Sequence, residues 1–212
     1  MKEYLQSLRT QAWRTSGARY NAGRRLKRRE LFSTVSLGMF SALSIAVAFL
    51  QRIYTAPAGT PLDNYLTALS VCLGVFLLAI SLMEWGAANG AKADTLHRNA
   101  EDLNAFQRKL AQRLAQIDAG TELIWDNVEE LRNEYEIIKG RCSHNHEPLD
   151  DLLFRAAHRA SDEFLRPVGE PAVGDWEARW VALRWHFSSV WYFALFWLVI
   201  ASALTLAPWM SE

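Results

Sequence analysis

RRLKRRELFSTVSLGMFSALSIAVAFL, residues 24–50, decides the fold: five Lys/Arg and one Glu run straight into 19 residues, 32–50, that carry no charge. A helix rises about 1.5 Å per residue, so a run of this length reaches the ~30 Å of a bilayer's hydrocarbon core. Two further runs, 64–83 and 187–211, also lack Asp, Glu, Lys and Arg. Over the whole chain of 212 residues, 23 Lys+Arg balance 23 Asp+Glu and half the residues are hydrophobic, so the averages hide this segregation. Continuous apolar runs satisfy their backbone only as helices, and they lack the alternation of a membrane barrel. An ordinary soluble enzyme is excluded.

Charge sets the expected orientation. Residues 1–31 hold nine Lys/Arg against two acids, whereas the 51–63 connection holds only Arg52 and Asp63. Arg24, Arg25, Lys27, Arg28 and Arg29 are therefore assigned as the topology-setting block, holding the N-terminus in the cytoplasm and touching anionic lipid. The same block reads less well as a nucleic-acid patch, since it abuts a span, and no direct nucleic-acid partner is expected. The Ala46-x-Ala48 pattern imitates a signal-peptidase site, and the Arg-rich start imitates a mitochondrial presequence. A preceding segment of about 30 residues is too long for a signal-peptide n-region, and the apolar run outlasts the usual h-region of ~7–15. An uncleaved membrane anchor is the better reading. Cys72 lies within a span and Cys142 in a polar loop, so no disulfide framework is implied.

Outward from the hairpin the pattern changes. Residues 1–31 read as a basic cytosolic helix with Leu5, Leu8, Ala12 and Trp13 on one stripe. Residues 32–84 form a transmembrane hairpin with spans 32–50 and 64–83. Residues 85–166 read as a cytosolic helical region: Leu96, Leu103, Leu110 and Ile117 recur every seven residues, joined by Phe106 and Leu114. Ile124, Val128, Leu131, Tyr135 and Ile138 make a second seam. Thr121 is the expected cap of that second helix and Gly140 its stop. Pro167, Gly169, Pro171 and Gly174 mark 167–186 as a linker, and 187–210 is a third span, rich in Trp and Phe and expected to face lipid. The fold class is thus all-α: a membrane protein with a transmembrane hairpin, a cytosolic helical hairpin and a C-terminal transmembrane helix.

Little in the chain points to catalysis. His144, His146, Asp150 and Asp151 fall within eight residues, but H-x-H in a loop is short of a ligand set, and acids are favoured at a helix start without any metal. Cys142 has no base paired with it in sequence. No phosphate loop, dinucleotide fingerprint or nucleophile elbow is present. No enzymatic activity, cofactor or metal is expected. The spans carry the more specific signal. Thr34, Gly38 and Ser41, with Ser44 close by, share one face of the first; Thr67, Ser70, Gly74 and Ser81 share one face of the second. Small and hydroxylated residues let helices approach closely, or line a narrow aqueous path between copies of a homo-oligomer.

The segment Arg19-Tyr20-Asn21-Ala22-Gly23-Arg24-Arg25-Leu26, the hairpin after it, the helix with His97, Ala100, Leu103 and Leu110, then Tyr135 and the His144-Asn145-His146 to Asp150 stretch resemble the SLATT domain, over roughly residues 12–151. The resemblance implies a two-transmembrane effector of bacterial anti-phage defence, thought to form membrane pores and to arrest or kill the cell when a partner signals. The operon partners it implies are a nucleotide-signal synthase, a SLOG sensor or a reverse transcriptase. The span at 187–210 departs from the two-span core. Two other functions compete: a non-conducting membrane scaffold or sensor, and a metal-dependent hydrolase using His144 and His146.

Topology is directly testable. With Cys72 and Cys142 replaced, single cysteines at positions 58 and 211 are expected to react with an impermeant thiol reagent added to intact cells, and one at position 120 is not. Labelling at position 120 overturns the orientation.

Overall fold

A computed structural model describes residues 1–53, 57–122, 124–167 and 169–206. The elements are α1 (Lys2–Ile53), α2 (Pro61–Ala87), α3 (Asn89–Asp118), α4 (Trp125–Gly140), α5 (Pro148–Ala157), a 3₁₀ turn (Asp162–Phe164), α6 (Asp175–Ser188) and α7 (Trp191–Leu206). Among the described residues there are no strands, only one isolated bridge between Leu165 and Pro171. α1 and α2 are long and apolar enough to cross a membrane, and a third span results if α6 and α7 count as one. α7 alone has 16 residues, below the ~20 of a full crossing. The expected end of this span, 207–210, lies outside the described residues.

The chain divides into two compact units, the first comprising Met1–Lys27 and Gly90–Ser188 and the second Arg28–Asn89 and Ser189–Glu212, of which residues 207–212 are not described. In the first unit the two seams do not wait for another chain. Leu103, Phe106, Leu110 and Leu114 of α3 and Val128, Leu131, Tyr135 and Ile138 of α4 form one core with Leu5, Leu8 and Ala12 of α1. Leu103 and Leu110 are fully buried. These seam residues are therefore covered within the chain, with α1 as the third wall.

The α3–α4 turn corrects a sequence expectation. Gly120 has φ +94°, its N–H bonds to the Ile117 carbonyl, and the Thr121 N–H bonds to the Gln116 carbonyl. This is a Schellman stop, with Gly in the left-handed position where a Cβ is unfavourable. Thr121 closes α3 instead of capping α4, which begins at Trp125 after Ile124 with no side-chain cap. The expected linker at 167–186 is helical from Asp175 as α6. Ala178 and Val181 of α6 pack with Ala156 and Val173, next to Leu149, Leu152 and Leu153.

In the second unit, Phe40 and Val47 of α1, Leu66, Leu69, Leu73 and Ile80 of α2 and Tyr192, Phe193 and Ile200 of α7 make one core. α7 is therefore not a lipid-facing helix throughout. Phe193 and Ile200 are buried, Trp197 packs against Phe40 with centroids 4.6 Å apart and rings tilted by 36°, and its indole N–H donates to Ser36 Oγ at 3.1 Å. Its other face, with Trp191, Leu195 and Leu198, is exposed. α2 starts at Pro61, three residues before the apolar run, because Thr60 caps it by accepting the Asp63 N–H.

Gly17 is fixed by packing. A Cβ built there lies 2.0 Å from Phe154 Cδ2, on a ring that Trp13 and Phe164 hold by aromatic contact. Gly17→Ala is expected to destabilise by about 1–3 kcal/mol through overpacking, despite its higher helix propensity. Gly86→Ala, where nothing lies within 4 Å, is expected to be neutral or stabilising. Thermal unfolding followed by circular dichroism in detergent checks both.

Candidate functional site

The two small-residue faces point outward from the chain. Thr34, Gly38 and Ser41 on α1, and Thr67, Gly74 and Ser81 on α2, are all exposed; Ser44 and Ser70 are half-buried. Several of these hydroxyls are satisfied within their own helix: Thr34 donates to the Glu30 carbonyl at 3.0 Å, Ser41 to Leu37 at 2.8 Å and Ser70 to Leu66 at 2.9 Å. Back-bonding of this kind lets a hydroxyl sit on an apolar surface at little cost. A Cβ at Gly38 or Gly74 meets nothing within 4 Å. The hairpin is closed by Phe40, Leu69, Leu73 and Ile80 instead.

The inward hydroxyls of α1 are the neighbours of those chosen from sequence. Ser33 and Ser36 are each 1% exposed, one residue before and two after Thr34 and so turned from it by about 100° and about 200°. Ser36 accepts the Trp197 indole, while Ser33 Oγ and Ser44 Oγ are buried without a hydrogen-bond partner among the described residues. A usable signal existed. Positions 5, 8, 12, 16, 19, 22, 25, 29, 33, 36, 40 and 47 follow steps of three, four and seven along α1, and all but half-buried Arg29 are buried.

The basic block is not one uniform surface patch. Arg24 is exposed, and Lys27 pairs with Asp94 at 3.0 Å between half-exposed partners. Arg28 is half-buried with a partner, and Arg29 donates from Nε to Tyr192 Oη at 2.6 Å, its guanidinium 4.9 Å from that ring's centroid. Arg25 is buried, so it does not serve as a free charge against lipid.

Its partner is Asp150, fully buried in the third position of α5. Asp150 Oδ1 accepts from Arg25 Nε at 3.1 Å and from the Trp185 indole at 2.8 Å. Oδ2 accepts from Arg25 Nη2 at 3.1 Å and from the Glu147 N–H at 3.0 Å, the latter one half of a capping box. Asn21 donates to the Asp150 carbonyl at 3.0 Å, and Glu147 pairs with Arg25 at 2.9 Å. Burial by itself lowers the Arg25 pKa, but hydrogen bonds and charges from Asp150, and then Glu147, raise it overall above the ordinary arginine value. Both charges are thus desolvated but well satisfied, the condition under which a buried pair holds. Four elements, α1, α5, α6 and the loop before α5, meet on one carboxylate.

The neighbouring loop carries the histidines. Cys142 Sγ donates to the His144 carbonyl at 3.2 Å, and His146 is half-buried with Nδ1 unpartnered among the described residues. Burial lowers the His146 pKa, with Asp151 pulling the other way. Among the described residues, no three or more His, Cys, Asp or Glu side chains converge as metal ligands.

A family model described as the SMODS and SLOG-associating 2TM effector domain family 5 matches residues 1–207. Neither curated proteins nor solved structures return a match.

Asp150→Ala strands a buried guanidinium and a buried indole N–H, and is expected to cost about 3–5 kcal/mol. Asp150→Asn, which keeps an acceptor for Trp185, is expected to cost less. Detergent-solubilised protein followed by tryptophan fluorescence during denaturant unfolding measures both, and equal midpoints for the three proteins contradict the assignment.

Proposed function

We propose, from the premise that this chain belongs to the SMODS and SLOG-associating 2TM effector domain family 5, that it is the membrane-disrupting component of a bacterial defence system. Membership makes the protein a membrane effector, and the family's name points to SMODS and SLOG proteins as partners. The finer reading is that several copies associate in the inner membrane through the outward faces Thr34/Gly38/Ser41 and Thr67/Ser70/Gly74/Ser81. Triggered by a partner or a nucleotide signal, the assembly opens an aqueous path and arrests or kills the cell. The N-terminus and the first unit lie in the cytoplasm in this reading, where the signal arises.

The observation that carries this reading is the exposure of both small-residue faces in a chain whose hairpin is already packed by larger residues. Apolar helices gain nothing from the hydrophobic effect by associating inside lipid, so close approach at small residues is what drives their association. No Asp, Glu, Lys or Arg lies within 32–50 or 64–83, so such a path has no charged filter and discriminates ions poorly. The resting state keeps those faces out of a conducting arrangement, and reversing a 99:1 preference takes about 5.5 kcal/mol of differential binding. α1 runs unbroken from Lys2 to Ile53 and so belongs both to the unit that receives the signal and to the hairpin that acts.

Gly38→Leu and Gly74→Leu separate this from a scaffold. Because nothing surrounds either glycine within 4 Å, leucine fits the isolated chain, and any effect arises between chains. The expected outcome is that triggered wild type depolarises cells, whereas both variants insert normally and do not. If no triggered form of the wild type depolarises, the non-conducting scaffold or sensor is the right function.

A further inference from the structure

Beside the buried pair, the first unit holds an open cleft of about 750 Å³ between α1, the end of α4 and the 141–147 loop. That volume falls within the ~300–1,000 Å³ typical of small-molecule sites. Its wall includes three cations, Arg14, Arg19 and Lys139, and two carboxylates, Glu136 and Asp151. Two of the cations already face a carboxylate, Arg14 in a bidentate pair and Lys139 in an exposed pair that holds weakly. Arg14 grips Asp151 through Nε and Nη2, both at 2.5 Å, and Lys139 pairs with Glu136 at 3.0 Å.

Arg19 is different. It is 4% exposed and makes no carboxylate pair among the described residues. Nη1 donates to Asn99 Oδ1, and Nη1 and Nη2 both reach the Lys139 carbonyl, at 3.4 and 3.3 Å. The carbonyl end of α4 supplies partial negative charge, yet Nε has no acceptor. A buried guanidinium with an idle donor and no counter-ion is costly to keep. The same wall holds a second idle polar atom, His146 Nδ1, together with His144, Ser143 and the Thr15 hydroxyl, which shares a hydrogen bond with Tyr135 Oη at 3.2 Å. The site is rich in donors and short of one negative charge.

We propose that this cleft binds a phosphorylated small molecule, its phosphate held by Arg19, Lys139 and the two histidines. A phosphate monoester offers several acceptor oxygens in a tetrahedral array, which donors arriving from α1, α4 and the loop engage from different sides. Its dianionic charge answers the excess of one cation and favours the protonated imidazole of His146, which burial disfavours. The volume left beyond a phosphate accommodates an organic body, with Gln11 and Asn145 amides lining the wall to meet it. Occupancy also bears on regulation, since Arg19 and the outward Gly38 lie on the same helix.

The test uses the full chain in nanodiscs of neutral phosphatidylcholine, titrated calorimetrically with inorganic phosphate and with adenosine 5′-monophosphate. Adenosine monophosphate is expected to bind at least ~10-fold tighter than inorganic phosphate, a difference of about 1.4 kcal/mol. Lys139→Ala and His144→Ala are each expected to weaken it about 10-fold with unchanged unfolding temperature, and Arg19→Met to abolish it. Should Arg19→Met fail to fold, the first two variants carry the test. The His146 ring nitrogens, followed by NMR, are expected to shift toward the imidazolium on binding. The proposal is overturned by no probe binding tighter than about 1 mM, by inorganic phosphate binding as tightly as the nucleotide, or by variants binding like wild type. Displacement of the nucleotide by phosphatidylglycerol in the disc assigns the cleft to a lipid headgroup and equally overturns it. None of these readings depends on conductance, so the cleft fails or stands separately from the pore.

Discussion

A carboxylate with no exposed surface cannot remain charged inside a protein without compensation, and the first unit is organised around providing it for Asp150. Arg25 supplies the opposite charge, Trp185 and the Glu147 N–H supply neutral donors, and Asn21 holds the adjacent carbonyl. The donors come from α1, α6 and the turn before α5, so the pair selects one arrangement of α1, α5 and α6 over many that would bury similar apolar area. Apolar packing contributes most of the free energy, through Leu103, Leu110 and their neighbours, but it is tolerant of small slides. Fixed hydrogen-bond geometry is not.

This hub also explains why two separated sequence segments carry the family resemblance. Arg19, Asn21 and Arg25 of the first segment reach the end of α4 and the start of α5, where the second segment lies. A basic block before a span reads as a topology signal from charge and hydropathy, and burial, which is not visible in sequence, adds a second role for some of its members. Arg25 and Arg29 sit four residues apart on α1, and each is engaged by an aromatic-rich helix: Arg25 shares its carboxylate with Trp185 of α6, and Arg29 bonds Tyr192 of α7. Part of what reads as surface charge is internal wiring.

The all-α class and the long apolar helices were legible from charge-free run lengths alone, since those follow directly from bilayer thickness. The α3 and α4 seams were legible too, because their inward positions are nearly all Leu, Ile, Val, Phe or Tyr. The inward face of α1 was legible only at Leu5, Leu8 and Ala12, and the cause is physical. Its buried stripe changes character along its length, from Leu5 and Leu8 through Ser16, Arg19 and Arg25 to Ser33, Ser36 and Phe40, so hydrophobic periodicity fades where polar groups are buried and paired. The same fading moved attention from Ser33 and Ser36 to Thr34 and Ser41, which share the helix but face outward. Thr121 was misread for a local reason: Gly120 in the left-handed conformation draws the next N–H back onto α3. Asp150 carried the right local signal, an acid at a helix start, but its long-range partners leave no trace in spacing.

The central claim is that the outward small-residue faces meet between copies of the chain, while the larger apolar surface of α7 meets lipid. Single cysteines at Gly38, Gly74 and Leu198, in a chain lacking Cys72 and Cys142, test it in native membranes under mild oxidation. All three positions are exposed in one chain, so accessibility does not distinguish them. The expected result is intermolecular disulfides at positions 38 and 74 and none at position 198. Monomer at all three positions, or crosslinking at 198 as efficient as at 38 and 74, contradicts the account.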